Sequence, residues 1–309
     1  MSEVVAEAPA RAEQVVARAV SPGPVWRNPW RKPWFLMGFT WLYLAWSLVP
    51  VAIAVLFSFN AGRSRSAWQG FSLRWYFKDP VLSVWHDPDL HTALFQTLRL
   101  AALATLIAVP IGVAFAIGID RWRGRTSSAW NFQMLLSFVM PELIIGVTLL
   151  LVFTTLFTAV HLGTGAQLLG LITFQMSYPV IIVRARLLTM GKEYEEAAMD
   201  LGASPTQSVR RVLLPMLAPA IFASAVLVFA DVIDDFIIVR YLSSDSSTEP
   251  MAVKIFNSAR SSPTPALNAL ATIMLVSSLI VVLVGFFAYR RMTRGERQKI
   301  AMGDIAAQI

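Results

Sequence analysis

The stretch Lys192-Glu193-Tyr194-Glu195-Glu196-Ala197-Ala198-Met199-Asp200-Leu201-Gly202-Ala203-Ser204-Pro205-Thr206-Gln207-Ser208-Val209-Arg210-Arg211-Val212-Leu213-Leu214-Pro215 is polar, short and bracketed by apolar runs. Residues 192–201 favour a helix, and Gly202 supplies the residue that takes positive φ just past a helix end. Ser204-Pro205-Thr206-Gln207 then reads as an N-cap serine, a proline at the first helical position and a glutamine at N3, the arrangement of a capping box. A second helix is expected through Val209, Val212, Leu213 and Leu214, until Pro215, which lacks an N–H, breaks it. The product is a helix-turn-helix between two apolar segments.

Outward from this hairpin the chain is dominated by charge-poor apolar runs. Of 309 residues, 56% are hydrophobic and only 15% charged, against roughly 45–50% and about 25% in soluble domains. Runs near or above ~20 residues are long enough to cross a bilayer core as helix. Six are expected: 35–57, 100–119, 132–157, 163–183, 217–239 and 267–289. An all-α integral membrane protein follows. The run 35–57 is too long for the apolar region of a cleaved signal peptide, and no small-residue cleavage site follows it. Before it, Trp26-Arg27-Asn28-Pro29-Trp30-Arg31-Lys32-Pro33-Trp34 mixes tryptophans with cations as chains do at the headgroup level. Residues 1–34 are therefore expected as a tail and interfacial segment, 35–295 as the membrane domain with the polar hairpin at 188–216, and 296–309 as a second tail.

The formal net charge of +7 and the absence of cysteine narrow the chemistry. No disulfide, thiolate metal site or thiol nucleophile is available. The basic residues sort by topology rather than pointing to nucleic acid: with the amino terminus inside, 18 of the 26 Lys and Arg fall on the cytoplasmic side, seven outside, and Arg99 at the mouth of the second span. This asymmetry predicts both termini and the 188–216 hairpin in the cytoplasm. The loop 58–96, with Trp68, Phe71, Trp75, Tyr76 and Trp85, is expected against the membrane face or a partner.

The spacing Glu196-Ala197-Ala198, three residues, Gly202, nine residues, Val212-Leu213-Leu214-Pro215 resembles the EAA signature of ABC-importer permeases, E-A-A-x3-G-x9-I-x-L-P, with Val212 standing for the usual isoleucine. An ordinary capped hairpin explains the caps but not two alanines beside a carboxylate. Phe71-Ser72-Leu73-Arg74-Trp75-Tyr76, Met140-Pro141-Glu142, Asp234-Asp235 and Asn268-Ala269-Leu270-Ala271-Thr272 are similar to spermidine/putrescine permeases, of the second, PotC-type, subunit. The resemblance covers most of 35–295. It implies a bacterial inner-membrane subunit of a type I ABC importer with six transmembrane helices. Glu196, Ala197, Ala198, Gly202, Leu214 and Pro215 would dock an ATP-binding subunit, present in two copies. A second related permease and an extracytoplasmic solute-binding protein would complete the complex. No cofactor is expected in this chain; ATP and Mg would bind the partner ATPase.

Acids inside the apolar runs are the remaining chemistry. Asp231, Asp234 and Asp235 stand at i, i+3 and i+4, on one ~100° face of a helix, and intramembrane acids are functional candidates by default. Such a face would suit an elongated polycation; pairing with Arg240, Arg99 or helix-end amides is the structural alternative. Glu142 is expected nearer the cytoplasmic half, either lining the substrate path with the three aspartates or bonded to a kinked backbone. Trp41, Tyr43, Trp46 and Tyr178 could meet ammonium groups by cation–π attraction, although aromatics in spans more often pack. No G-x-x-x-x-G-K-[ST] phosphate loop occurs, so energy must come from another subunit or an ion gradient. A proton-coupled carrier would leave the hairpin without a purpose. An intramembrane aspartyl protease would need opposed carboxylates, which adjacent Asp234 and Asp235 do not provide, and His86, His91 and His161 have no metal-ligand spacing.

Overall fold

In the computed structural model, residues 34–64, 67–121, 129, 132–133, 136, 138–261 and 264–306 are described. The chain divides into two compact units, 1–52 and 53–309. The first carries most of α1 (Trp34–Ser58), 25 residues without a charged side chain, about 37 Å long at 1.5 Å per residue. Its Thr40 and Ser47 hydroxyls are satisfied within the helix, Thr40 Oγ1 donating to the Leu36 carbonyl at 2.7 Å and Ser47 Oγ to the Leu44 carbonyl at 3.0 Å. The interfacial segment expected before Trp34 lies outside the described residues.

The second unit is built around α2 (Pro88–Arg121), 34 residues long. Ala101, Ala104, Ala108, Gly112 and Ala116 recur at helical spacing along α2 and are buried. Small residues in that pattern let helix backbones approach closely in a membrane. α4 (Thr164–Gln175), α5 (Ser177–Met190) and α8 (Leu214–Asp234) pack along this helix, and α8 also packs along α11 (Pro265–Ala306). At Gly112 the approach is so close that a Cβ would stand 2.4 Å from Pro179 Cγ and 2.7 Å from the Met176 carbonyl oxygen.

Among the described residues, five helical stretches are long and apolar enough to cross a membrane: 34–58, 88–121, 164–190, 205–234 and 265–291. The third expected span is divided. Pro141 is extended (ψ 130°), and after it come α3 (Glu142–Leu151) and a π turn, Val152–Leu156. Pro141 disfavours helix at Met140 and withholds a donor, which accounts for the break. The residues before it are only partly described. The fourth span reaches Met190 rather than 183, with a join at Met176; Pro179 falls in the first turn of α5, where no intrahelical N–H bond is required of it.

Further expected boundaries are corrected: the second span begins at 88 rather than 100, so the loop expected as 58–96 ends before it. Pro215 does not break the helix, which runs on from 205 to 234. A π turn at Val209–Leu213 precedes the proline, with the Leu214 N–H donating to the Val209 carbonyl, five residues back, and Pro215 enters in the first turn of α8. The widened turn accommodates the ring that would otherwise strike the preceding turn. The fifth helix stops at Asp234 instead of 239. Asp235 is extended (ψ 126°), and a short helix, α9 (Ile237–Leu242), follows.

At the end of α2 distant from Arg121, the segment 58–87 folds on itself. Trp75 is fully buried and its Nε1 donates to the Asn60 carbonyl at 2.6 Å, while the Tyr76 hydroxyl lies 2.8 Å from Ser58 Oγ. They join a cluster with Leu90, Leu94, Met251, Leu267 and Leu270. Trp75 and Tyr76 are thus core residues rather than membrane-face or partner-facing ones; Trp68, Phe71 and Trp85 are exposed.

Candidate functional site

Two regions gather the residues singled out from the sequence. The first is the 192–214 hairpin. α6 (Glu193–Asp200) ends as expected, with the Gly202 N–H donating to Met199 O at 2.9 Å and the Ala203 N–H to Ala198 O at 3.0 Å. Gly202 takes φ +89°, a conformation that L side chains resist. The capping box is present: Ser204 Oγ accepts from the Gln207 N–H, and Gln207 Oε1 accepts from the Ser204 N–H. It starts α7 (Pro205–Ser208), which continues through the π turn into α8.

No side chain of α6 is buried. Glu196, Ala197 and Gly202 are exposed, Ala198 is half-buried, and Leu201 is 91% exposed. A Cβ at Gly202 would meet nothing within 4 Å. Pro215 is exposed also, but Leu214 is half-buried and packs with Leu213 and Val209 against the main core. Of the six hairpin residues named above, Leu214 therefore holds the hairpin to the bundle rather than sharing its open face.

The second region brings all four intramembrane acids together. Glu142, Asp231, Asp234, Asp235, Phe236 and Ile237 line an open cavity of about 280 Å³. Glu142 is there because the break at Pro141 makes it the first residue of α3; Asp231 and Asp234 occupy the last turn of α8, and Asp235 the extended residue after it. The expected single helical face is thus half right, since Asp235 reaches the cavity from outside the helix. Asp235 is 8% exposed and its Oδ1 accepts the Val239 N–H at 3.2 Å. Asp234 is exposed to the cavity.

Among the described residues, no Lys or Arg pairs with any of the four. Of the structural alternatives, Arg240 lies 3.7 Å from Glu249 and Arg99 is exposed, while the helix-end amide is met at Asp235, which accepts the Val239 N–H of α9. A neighbouring cavity of about 430 Å³, lined by Leu143, Phe236, Ile237, Arg240, Tyr241 and Phe256, shares Phe236 and Ile237 with the acidic one. Tyr178 stacks edge-on to Phe138 and Phe174, at 5.6 and 6.1 Å between ring centroids. Trp41, Tyr43 and Trp46 stand on α1 with exposed rings.

Glutamines were missed in the sequence. Gln175, fully buried, donates from Nε2 to Asp231 Oδ2 at 2.7 Å. Gln167, also fully buried, offers Nε2 to Ser243 Oγ and the Thr248 carbonyl, each at 2.9 Å, and its Oε1 accepts from Gln96 Nε2 at 2.9 Å. A lone glutamine in an apolar run was the available signal, because a buried amide requires partners.

Residues 108–298 match the family model described as "Binding-protein-dependent transport system inner membrane component". The putrescine transport system permease protein PotI of Escherichia coli K12 is 34% identical over 282 residues, covering 90% of this chain and 95% of that protein. The spermidine/putrescine transport system permease PotC of Haemophilus influenzae is 30% identical over 253 residues, covering 82% and 95%. Among solved structures, a bacterial ABC transporter that imports the acidic polysaccharide alginate superposes with TM-score 0.66 at 16% identity, covering 85% of this chain and 97% of that one. The methionine ABC transporter MetNI in an inward-facing conformation gives TM-score 0.54 at 16% identity, covering 65% and 94%. The fold is that of type I ABC importer permeases, and the chain belongs to the family of binding-protein-dependent transport system inner membrane components.

Proposed function

We propose that this chain is one permease subunit of an ATP-driven polyamine importer, carrying putrescine or spermidine across the bacterial inner membrane with both termini in the cytoplasm. The observation that carries the substrate class is the acidic cavity, lined by four carboxyl groups to which no Lys or Arg among the described residues is paired. A linear di- or polyammonium ion supplies the missing positive charge and receives carboxylate oxygens in place of its lost hydration. The relatives named for putrescine and spermidine transport support the same substrate class.

Energy enters through the hairpin. Glu196, Ala197 and Gly202 are exposed, with Ala198 half-buried beside them, at the end of the bundle that carries Arg210 and Arg211, and an ATP-binding subunit docks there, with ATP and Mg on that partner. Two such ATPases, a second permease and an extracytoplasmic binding protein complete the transporter. Alternating access follows when ATPase closure displaces the hairpin.

Labelled putrescine uptake in a strain deleted for this chain tests the reading. Uptake is expected to vanish, to return with the intact gene, and to fall at least about tenfold with Asp234→Asn plus Asp235→Asn, as lost charge-assisted contacts of ~1.5–3 kcal/mol imply. Normal uptake by that double variant refutes the acidic path; putrescine uptake unaffected by the deletion refutes the substrate class.

A further inference from the structure

Among the described residues, Arg121 ties the first helix of the hairpin to the end of α2. Arg121, the last residue of α2, directs Nη2 to Glu195 Oε2 at 2.6 Å and to the Gly191 carbonyl at 3.3 Å, and Nη1 to the neighbouring Asp120. The Arg121 and Glu195 side chains are 21% and 12% exposed. A pair so far withdrawn from water is screened less than a surface pair. The Glu195 carbonyl in turn accepts from Ser208 Oγ at 3.3 Å, and Ser208 is buried. One guanidinium fork therefore joins the end of α2, the Gly191 turn and α6, and through Glu195 the second helix of the hairpin. α6 buries no side chain and packs on α7 and the π turn; among the described residues this polar clasp is what ties it to α2.

The other end of α2 is held just as specifically. Gln96 donates to Gln167 and to Thr164 Oγ1, Thr97 Oγ1 accepts the Met251 N–H at 2.8 Å, and Asp89 pairs with Lys254 at 2.6 Å. Between the two ends α2 is packed on α4, α5 and α8 over its length. A 34-residue helix is about 50 Å long, enough to connect both ends of the bundle as one stiff body.

We propose that Arg121 is the positioning residue that couples the hairpin to α2, so that displacement of the hairpin by a docked partner moves α2 and, through it, the Gln96–Gln167 and Thr97–Met251 contacts at the opposite end. The proposal rests on the reading of the hairpin as the ATPase-docking surface. It assigns Glu195 to inward transmission and leaves the adjacent Glu196 to face the partner.

The test uses the whole importer reconstituted in liposomes, reading putrescine transported per ATP hydrolysed and the ATPase subunit recovered with the complex. Arg121→Ala is expected to keep the ATPase bound while the transport ratio falls roughly fivefold or more, the scale of one modest interaction. Arg121→Lys, which keeps the charge but not the fork, should fall between. Glu195→Gln should reproduce the alanine defect, and the double variant should be no worse than either single one. An unchanged ratio in Arg121→Ala, additive losses in the double variant, or loss of the bound ATPase would each overturn the proposal. Glu196→Lys separates it from the docking reading: if that variant still retains the ATPase, docking itself fails, whatever Arg121 does.

Discussion

Gly202 offers a perturbation whose two explanations predict opposite orders of effect. Its φ of +89° sets the turn, and its added Cβ would meet nothing within 4 Å. Within this chain, then, a side chain there is opposed by backbone conformation alone. Alanine in the left-handed region costs about 1–2 kcal/mol, or a roughly 5- to 30-fold shift away from the turn. Asparagine, which enters that region several-fold more readily than most residues, should lose less. The bonds at risk are those from the Gly202 and Ala203 N–H groups to Met199 and Ala198. Hydrogen exchange across 193–208 should therefore rank hairpin protection as Gly, then Asn, then Ala. If an ATPase covers this surface, the larger Asn side chain meets the partner and overpacking costs about 1–3 kcal/mol. ATPase recovery and putrescine uptake should then rank Gly, then Ala, with Asn at or below Ala. Asn restoring both above the Ala variant would show that Gly202 matters only as a turn, and the docking surface would lose its centre.

Replacing Gln167 by Leu removes bonds to Ser243 Oγ, the Thr248 carbonyl and Gln96; a loss of ~1–3 kcal/mol is expected, seen as a lower melting temperature in detergent, and an unchanged melting point would refute the bracing role. Asp79, outside the spans, is held below the ordinary carboxylate range by the Leu82 and Val81 amides and by Arg74. Its folded pKa is depressed, so its contribution is complete above the unfolded value of about 3.9 and is lost as pH falls through the lower folded value. Proteolysis within 74–87 should thus increase only below about pH 4 in the native chain, and Asp79→Asn should cleave readily at neutral pH; resistance of the variant at pH 7 would refute it. Pro141→Ala permits helix through Met140 and turns Glu142 away from the cavity, so uptake should fall several-fold at unchanged protein level; full uptake would separate the break from the path.

What was legible in the sequence was what local rules govern. The Gly202 stop and the Ser204–Gln207 capping box each depend on three or four consecutive residues, and both occur as read. The helix boundaries that departed from expectation involve alternatives which those rules do not rank. The missing N–H of Pro215 predicts a helix end, but the π turn just upstream relieves the clash without ending the helix. Hydropathy carried the fifth span to 239, because Phe236-Ile237-Ile238-Val239 is apolar, whereas the chain turns at Asp235. Trp75 and Tyr76 were unreadable for a different reason: their burial is made by the partners Met251, Leu267 and Leu270, some 175 or more positions away, and no short pattern encodes that. The glutamines carried a signal, but their partners could not be named without the fold.

The acidic cavity lies where two helices are interrupted. One interruption precedes Glu142 and the other follows Asp234, and both leave extended backbone, at Pro141 and at Asp235. In a bilayer an interruption exposes amide and carbonyl groups that lipid cannot satisfy, so irregular backbone is tolerated only against protein or a water-filled space. Here the interruptions open on the same space as the carboxyl groups, and α9 packs on α3 beside it. Each feature alone has an ordinary explanation: a proline kinks a helix, and an acid near a span end can be wet. Their coincidence has a stronger one. A cavity that stabilises broken backbone by hydration also reduces the cost of placing acids beside it, and those acids in turn favour cations over neutral solutes. On the function proposed above, charge selection at this cavity rests on the two breaks as well as on the four carboxyl groups, because the breaks place Glu142 at the start of α3 and Asp235 in extended backbone, where both line it.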